Sequence, residues 1–580
     1  MKKLMLGNEA VARGLYEAGC SVVSSYPGTP STEITEFAAK YDEIYCEWAP
    51  NEKVALEVAY GASLYGKRAA CAMKHVGLNV AADPLFTLSY TGVNGGLVIC
   101  VADDPGMHSS QNEQDSRNYA IAAKLPMLEP SDSAEARDMI KTAFELSEKY
   151  DTPVLFRICT RTAHSQSIVE LGEREQYDAA PYVKRPEKYI MMPAYAKRKH
   201  PLVEQRTAAL TGFAETTRLN RIEGAPHAAL GIITSGMCYQ YVKEAFAGIA
   251  ADRQPRILKI GLQNPLPIKL FEDFAASVDR LVVVEELDGI IERQCRALGL
   301  EVEGHELFSC VGEFSQQTVR SVFGIDQPEF AAEADQLPAR PPVMCPGCPH
   351  RGIFYVLSKN KITVMGDIGC YTLGAQPPLC AIDSVLCMGA SVSGLHGFNK
   401  AGGGEVEGKT VAVIGDSTFI HSGVTGLINI AYNATNSTVI ILDNSITGMT
   451  GHQQNPTTGF NLRGDPAAKV DVEALCRAVG INRVRVVDPY ALDECERAVK
   501  EELAADEPSV IISRRPCVLL KTVRTGAPLS VNADKCRACR RCMKLGCPAL
   551  SLHGGRAVID DTLCTGCRVC EQLCAFDAIQ

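Results

Sequence analysis

Eight cysteines fall between Cys536 and Cys574, and that density constrains this chain more than any other feature of its sequence. They run Cys536-x2-Cys539-x2-Cys542-x4-Cys547-Pro548 and then Cys564-x2-Cys567-x2-Cys570-x3-Cys574. A chain of 580 residues builds its own core and does not need disulfide staples, so thiols packed this closely point to metal. The remaining cysteines are scattered from Cys20 to Cys517, and most read as small buried hydrophobes.

A tight turn carrying three thiolates, each two residues from the next, can present three sulfurs to one corner of a cubane. The fourth sulfur then comes from the other repeat, as in two-cluster bacterial ferredoxins. That crossing assigns Cys536, Cys539, Cys542 and Cys574 to one [4Fe–4S] cluster, and Cys564, Cys567, Cys570 and Cys547 to a second. A pair of zinc sites is the competing reading, but zinc ribbons use two cysteines per knuckle and a triple repeat suits one tetrahedral ion poorly. The first spacer has four residues instead of three, and Ala575 stands where a second proline is usual; neither change removes a ligand.

The rest of the chain alternates helical patterns with short apolar runs. Buried parallel strands are expected at 69–73, 96–102 and 152–158, then at 227–234, 256–260 and 280–286, and finally at 409–415, 437–443 and 508–513. The fold class is therefore α/β and multidomain, with doubly wound sheets followed by a small C-terminal α+β two-cluster domain. The expected divisions are an α/β domain at 1–185, a connector at 186–225, a second α/β domain at 226–328, a linker at 329–342, a third α/β domain at 343–528 and the cysteine-rich domain at 529–580. A formal charge of −10 argues against nucleic acid as a partner. With no secretory signal and no apolar run long enough to span a bilayer, the expectation is a cytoplasmic protein without a membrane partner.

Two strand ends carry chemistry. Strand 409–415 runs into Gly415-Asp416-Ser417, and strand 437–443 into Asn444-Ser445-Ile446. A hard divalent ion such as Mg2+ wants oxygen ligands in a near-octahedral array. The Asp416 carboxylate, the Asn444 amide and the Ile446 carbonyl would supply half of that shell. Gly415 lets phosphate approach the backbone, and the following helix offers its N–H groups. The pattern resembles the diphosphate and metal signature of thiamine-diphosphate enzymes, departing from it at Ser417, where glycine is usual. A second Gly-Asp, at 366–367, lacks a partner asparagine at the right distance. In the first domain, Glu52 opens a segment with Gly61-Ala62 nine residues on, like the glutamate that hydrogen-bonds the thiamine pyrimidine ring and drives its activation. The alternative for Glu52 is an ordinary exposed helix charge.

Longer stretches carry a resemblance across the whole chain. Residues 7–34, 51–63, 74–84, 109–120, 345–352 and 366–374, together with the tail, resemble the alpha subunits of indolepyruvate ferredoxin oxidoreductases. The resemblance implies oxidative decarboxylation of an aryl 2-oxoacid to arylacetyl-CoA, with CoA as co-substrate and ferredoxin as electron acceptor. It implies thiamine diphosphate and Mg2+ as cofactors, and a small beta subunit in an (alpha-beta)2 assembly. The beta subunit is expected to serve the CoA half-reaction, because no stretch of this chain is left over for it. The loop Tyr26-Pro27-Gly28-Thr29-Pro30 resembles the YPITP loop of pyruvate enzymes, whose threonine touches substrate. Gly28 in place of isoleucine would admit a larger substrate beside Thr29; relief of backbone strain is the alternative. Cys345, Cys348, Cys370 and Cys517 are similar to the four cysteines that hold the proximal cluster of those enzymes, which makes a third [4Fe–4S] cluster the expectation, against a zinc knuckle or core packing. Two other functions compete with this one: a non-oxidative thiamine decarboxylase, and a catalytically dead electron-relay subunit.

Overall fold

A computed structural model describes residues 1–327, 338 and 340–580. The chain forms two compact units, Met1–Ala332 and Glu333–Gln580. The expected linker at 329–342 falls mostly outside the described residues.

The first unit includes, in chain order, β1 (Val22–Ser25), β2 (Tyr45–Trp48), helix α1 (Glu52–Tyr65), β3 (Ala69–Lys74), helix α2 (His75–Val80), β4 (Leu97–Asp103), β5 (Met127–Leu128) and β6 (Val154–Cys159). Every residue of β3, β4 and β6 is buried, as strands covered on both faces require. The stretch expected as a connector contains a 22-residue helix, α3 (Pro193–Ala214), with Pro201 inside it; only Val203, Leu210 and Ala214 are buried along it, so no apolar stripe marks it in the sequence. Four strands follow: β7 (Arg221–Glu223), β8 (Ala228–Ser235), β9 (Arg256–Ile260) and β11 (Val278–Val284), in the order β11-β8-β9-β7. Between β9 and β11, β10 (Leu262–Asn264) crosses to pair antiparallel with β5. The larger sheet therefore has seven strands, in the order β10-β5-β6-β4-β3-β1-β2.

Buried ion pairs tie these two sheets together. Arg117 donates to Asp115 and Glu285, each at 2.6 Å, and to the carbonyls of Glu286 and Asp288. Arg157 pairs with Asp103 at 2.7 Å and with Glu129. Burying such charges is tolerable only because each finds an opposite charge and further hydrogen bonds.

The second unit holds β12 (Thr363–Gly366), β13 (Ser384–Val385), β14 (Thr410–Gly415), β15 (Thr438–Asp443), β16 (Arg483–Val487) and β17 (Ser509–Arg514). They form a six-stranded sheet in the order β13-β12-β14-β15-β17-β16, and every pairing in it is parallel. Helix α4 (His350–Lys359) packs on it. The cysteine-rich tail adds one antiparallel hairpin, β18 (Leu550–His553) and β19 (Arg556–Ile559). The tail is not a free appendage. Its Leu545, Leu550 and Val569 share one apolar core with Phe354 and Leu357 of α4. Buried Arg351 donates to the carbonyls of Leu545 and Gly546 on one side and of Met344 and Cys345 on the other.

Candidate functional site

In a parallel sheet the loops leaving the carboxyl ends of adjacent strands converge on one crevice. In the second unit, β12, β14, β15 and β17 are neighbours, and their ends lead to Cys370, Asp416, Asn444 and Cys517. Asp416 is almost fully buried. Its Oδ1 accepts from the Ser417 N–H at 2.8 Å and its Oδ2 from the Thr457 hydroxyl at 3.2 Å. Burial, reinforced by the nearby charge of Asp443, pushes its carboxyl up to about 7. Among the described residues no lysine or arginine pairs with Asp416, whereas Asp443 is held by Arg514 at 2.8 Å. A buried carboxylate in that setting either takes up a proton or binds a cation. The Asn444 amide lies 3.3 Å from Nε2 of His350, and its Oδ1 accepts from the Ile446 N–H. Burial lowers His350 to about 4, so its ring is neutral and accepts from the amide. Ser417 takes a hydrogen bond from Thr447 at 3.0 Å. The donor set fits a hard ion and a diphosphate. The other Gly-Asp differs: Asp367 is filled by the backbone N–H groups of Ile368, Gly389 and Ser391, at 2.8 to 3.0 Å. Backbone donors alone satisfy it.

The four cysteines read as a third site are brought together. Cys348 N–H donates to the Cys345 carbonyl, making the expected tight turn. The Cys348 thiol is raised to about 12 by burial, with Cys345 and Cys370 adding to it. Cys370 is raised to about 11 by burial and then by Cys517 and Cys345. Cys517 N–H donates to the Asn444 carbonyl at 2.9 Å, which joins this group to the metal loop.

The tail cysteines divide as the crossed pairing requires. Cys547, Cys564, Cys567 and Cys570 line one hollow, sheathed by Leu529, Leu545, Leu550, Ile559 and Val569. Cys536, Cys539, Cys542 and Cys574 line another. Among the described residues no three His, Cys, Asp or Glu side chains close around the position of a single metal ion. The thiols instead face hollows with apolar walls, which suits a multi-atom group. Backbone N–H groups of Leu529 and Ala578 donate to Sγ of Cys564 and Cys574, at 3.4 and 3.3 Å. The first hollow is also walled by Pro346, Gly347 and Cys348, so one loop separates it from the Cys345–Cys517 group. Gly347, at φ +68°, lies against Thr565 with no room for a Cβ.

The first unit carries the other half-motif. Asn51 caps α1 by accepting from the Val54 N–H at 2.9 Å, which sets Glu52 in the first helical turn. Glu52 is buried, not the exposed helix charge that was the alternative. Its carboxyl lies against Gly77 of α2, where an added Cβ would stand 2.6 Å from Oε1. His75, two residues earlier, is also buried, and its Nδ1 has no hydrogen-bond partner among the described residues. Lys74, at the end of β3, is lowered to about 8 by burial, against the pull of Asp104, and donates to the Ser109 carbonyl at 2.7 Å. A Cβ on Gly28 would meet Cβ of Lys74 at 3.2 Å. Gly28 and Thr29 are half-buried beside it. Sequence reasoning missed Lys74, His75, His350 and Thr457 as site residues. The first three stand inside motifs that carried the family resemblance, but Thr457 had no such signal.

Three family models match. Residues 13–225 match pyruvate flavodoxin/ferredoxin oxidoreductase, thiamine diP-binding, and residues 367–513 match the thiamine pyrophosphate enzyme C-terminal TPP binding domain. Residues 220–327 match an indolepyruvate oxidoreductase domain. The fold and these matches define a thiamine-diphosphate-binding subunit of an enzyme for oxidative decarboxylation of 2-oxoacids. Indolepyruvate oxidoreductase subunit IorA of Pyrococcus horikoshii is 41% identical, with 100% of this chain and 97% of that protein covered. Its namesake from Archaeoglobus fulgidus is 40% identical at the same coverage. The chain belongs to this indolepyruvate oxidoreductase subunit family. Among solved structures, a 2-oxoglutarate:ferredoxin oxidoreductase from Magnetococcus marinus with 2-oxoglutarate, coenzyme A and succinyl-CoA bound gives a TM-score of 0.48 at 20% identity, covering 56% of this chain and 65% of that one. Among the described residues no helix is long and apolar enough to cross a membrane.

Proposed function

We propose that this chain is the thiamine-bearing and electron-wiring subunit of an enzyme that converts an arylpyruvate, CoA and oxidised ferredoxin to arylacetyl-CoA, CO2 and reduced ferredoxin. A small beta subunit completes it as a dimer of heterodimers and serves the CoA half-reaction. One observation carries the reading: the Cys345–Cys348 loop has the thiols next to the metal loop on one side and a four-cysteine hollow on the other. That is the layout of a redox enzyme, and a non-oxidative decarboxylase has no use for it.

Asp416, Asn444 and the Ile446 carbonyl would hold Mg2+, with Gly415 and Ser417 against the diphosphate. Bound thiamine diphosphate supplies the carbon nucleophile for the keto group and the sink for the electrons left when CO2 departs. Glu52 holds and returns the proton at the pyrimidine ring. Lys74, whose Cβ lies against Gly28 and whose ammonium rests on the Ser109 carbonyl, would offer a cation to the substrate carboxylate. Cys345, Cys348, Cys370 and Cys517 would hold an inner cluster. The crossed tail sets hold two more in a C-terminal ferredoxin-type domain, the set with Cys547 nearer the inner one.

The anaerobically purified two-subunit complex tests this. CO2 release from indolepyruvate should depend on CoA and an electron acceptor and should exceed that from pyruvate. Acceptor-independent release at the same rate would overturn the oxidative reading. Cys370→Ser in the full complex should lower iron from about twelve to about eight per chain. Unchanged iron would remove the third cluster.

A further inference from the structure

The two tail repeats have the same turn geometry but differ in charge. Arg540 in the first repeat and Arg568 in the second occupy equivalent left-handed positions, at φ +58° and +61°. Arg568 is neutralised by Glu571 at 2.6 Å. The first repeat has Met543 at the matching place, and from Lys535 to Lys544 it carries five cations and no acid. Lys535, Arg537, Arg540, Arg541, Lys544 and Arg556 are all exposed, and among the described residues none of these side chains is paired with a carboxylate. They surround the hollow lined by Cys536, Cys539, Cys542 and Cys574, whose walls come from the tail alone. Cys539 itself is exposed, and Phe576, 44% exposed, adds an apolar centre. This concentration of positive charge sits on a chain whose formal charge is −10.

We infer that electrons leave through this outer hollow to a small acidic one-electron carrier, which docks on the cationic rim. The inference rests on the reading of the tail as two [4Fe–4S] clusters. One electron passes from the reduced outer cluster to the oxidised carrier, and no bond or proton moves. Unpaired cations ringing an apolar centre attract an acidic partner over distance and hold it loosely, which raises the encounter rate without trapping the product.

The test is Arg541→Glu with Lys544→Glu in the complete two-subunit enzyme; neither residue lines the hollow. Initial rates are measured with an acidic ferredoxin and with a dicationic viologen, at low and high salt. For ferredoxin, kcat/KM should fall by about 10- to 1000-fold at low salt and lose most of its salt dependence. Viologen-linked turnover and iron content should be unchanged. Unaltered ferredoxin kinetics would overturn the docking site. Dissociation of the beta subunit from the variant would also overturn it, by making the rim a subunit interface. A parent complex without tail iron would overturn the wiring reading itself, and the docking site with it.

Discussion

The polar ends of the two large sheets handle buried charge in opposite ways. At the seven-stranded sheet, Arg117 and Arg157 each sit between two carboxylates, so the charges compensate one another inside the protein. At the six-stranded sheet, Asp416 has hydroxyl and N–H partners, its nearest named charge is another carboxylate, and its carboxyl is pushed up to about 7. Compensated charge is scaffold, because removing one member exposes the other. Uncompensated buried charge costs stability, which makes Asp416 a candidate for binding a ligand. The difference separates the pieces that hold the crevices open from the pieces that work in them.

The largest effect expected from that contrast is at Asp416. Asp416→Ala should lower affinity for thiamine diphosphate with Mg2+ by more than about a hundredfold, abolishing turnover while the fold is kept. Calorimetric titration of the cofactor measures it, and unchanged affinity would refute the metal assignment. Glu52→Gln should act differently. The cofactor still binds, while deuterium exchange at its C2 position and turnover slow by about a hundred- to ten-thousand-fold. Wild-type exchange would take Glu52 out of the mechanism.

Sequence patterns pointed to Asp416 and Asn444 as candidates for a physical reason. Nine apolar runs marked strands correctly, because strands buried on both faces must be apolar throughout. Asp416 and Asn444 stand directly after two of them, at the one place in such a sheet where ligands bind. The short strands Val22–Ser25, Tyr45–Trp48 and Leu262–Asn264 were not legible; each has three or four residues, mixed in polarity, and is held by its neighbours. Nor was the helix Pro193–Ala214, whose few buried residues leave no periodicity to read. The crossed cysteine pairing could be proposed from sequence because ligand spacing is nearly all that a cluster site needs. Lys74 and His75 were not, since their relation to Gly28 and Gly77 exists only after folding.

Glu286 sharpens the comparison from inside the first unit. It is buried near Arg157, Glu129 and Glu313, accepts from the Phe314 N–H at 2.7 Å, and is raised by burial from its ordinary value of 4.5 to about 7. The folded state therefore keeps a proton that the unfolded chain releases. The stability this contributes is full below pH about 4.5 and is lost as pH rises through 7, a span of about 3 kcal/mol at 1.4 kcal/mol per unit. Glu286→Gln should flatten that window, gaining on the parent protein in thermal stability as pH rises from 5 to 8. A parallel pH dependence in the two proteins would show that Glu286 is ionised and compensated, like its neighbours.

The smallest effect, and the one most able to break the division, is at Gly28. If the loop around it belongs to the working part, Gly28→Ile should shrink the substrate pocket. The ratio of kcat/KM for indolepyruvate to that for pyruvate should then fall by about 1–3 kcal/mol, roughly ten- to two-hundred-fold. The structure supplies a competing reason for glycine there, since a Cβ would press on Cβ of Lys74 at 3.2 Å. Displacing Lys74 would harm every substrate that presents a carboxylate, because all 2-oxoacids share that group. The two causes have different signatures. A pocket effect moves the ratio and spares pyruvate. A Lys74 effect lowers both specificity constants together and leaves the ratio where it was. Gly28→Ala separates them further, because it adds only the atom that meets Lys74 and none of the bulk that would fill an aromatic pocket. If Gly28→Ala already costs both substrates equally and Gly28→Ile adds no further discrimination, Gly28 is scaffold for Lys74, and the aryl preference must be set elsewhere in the crevice.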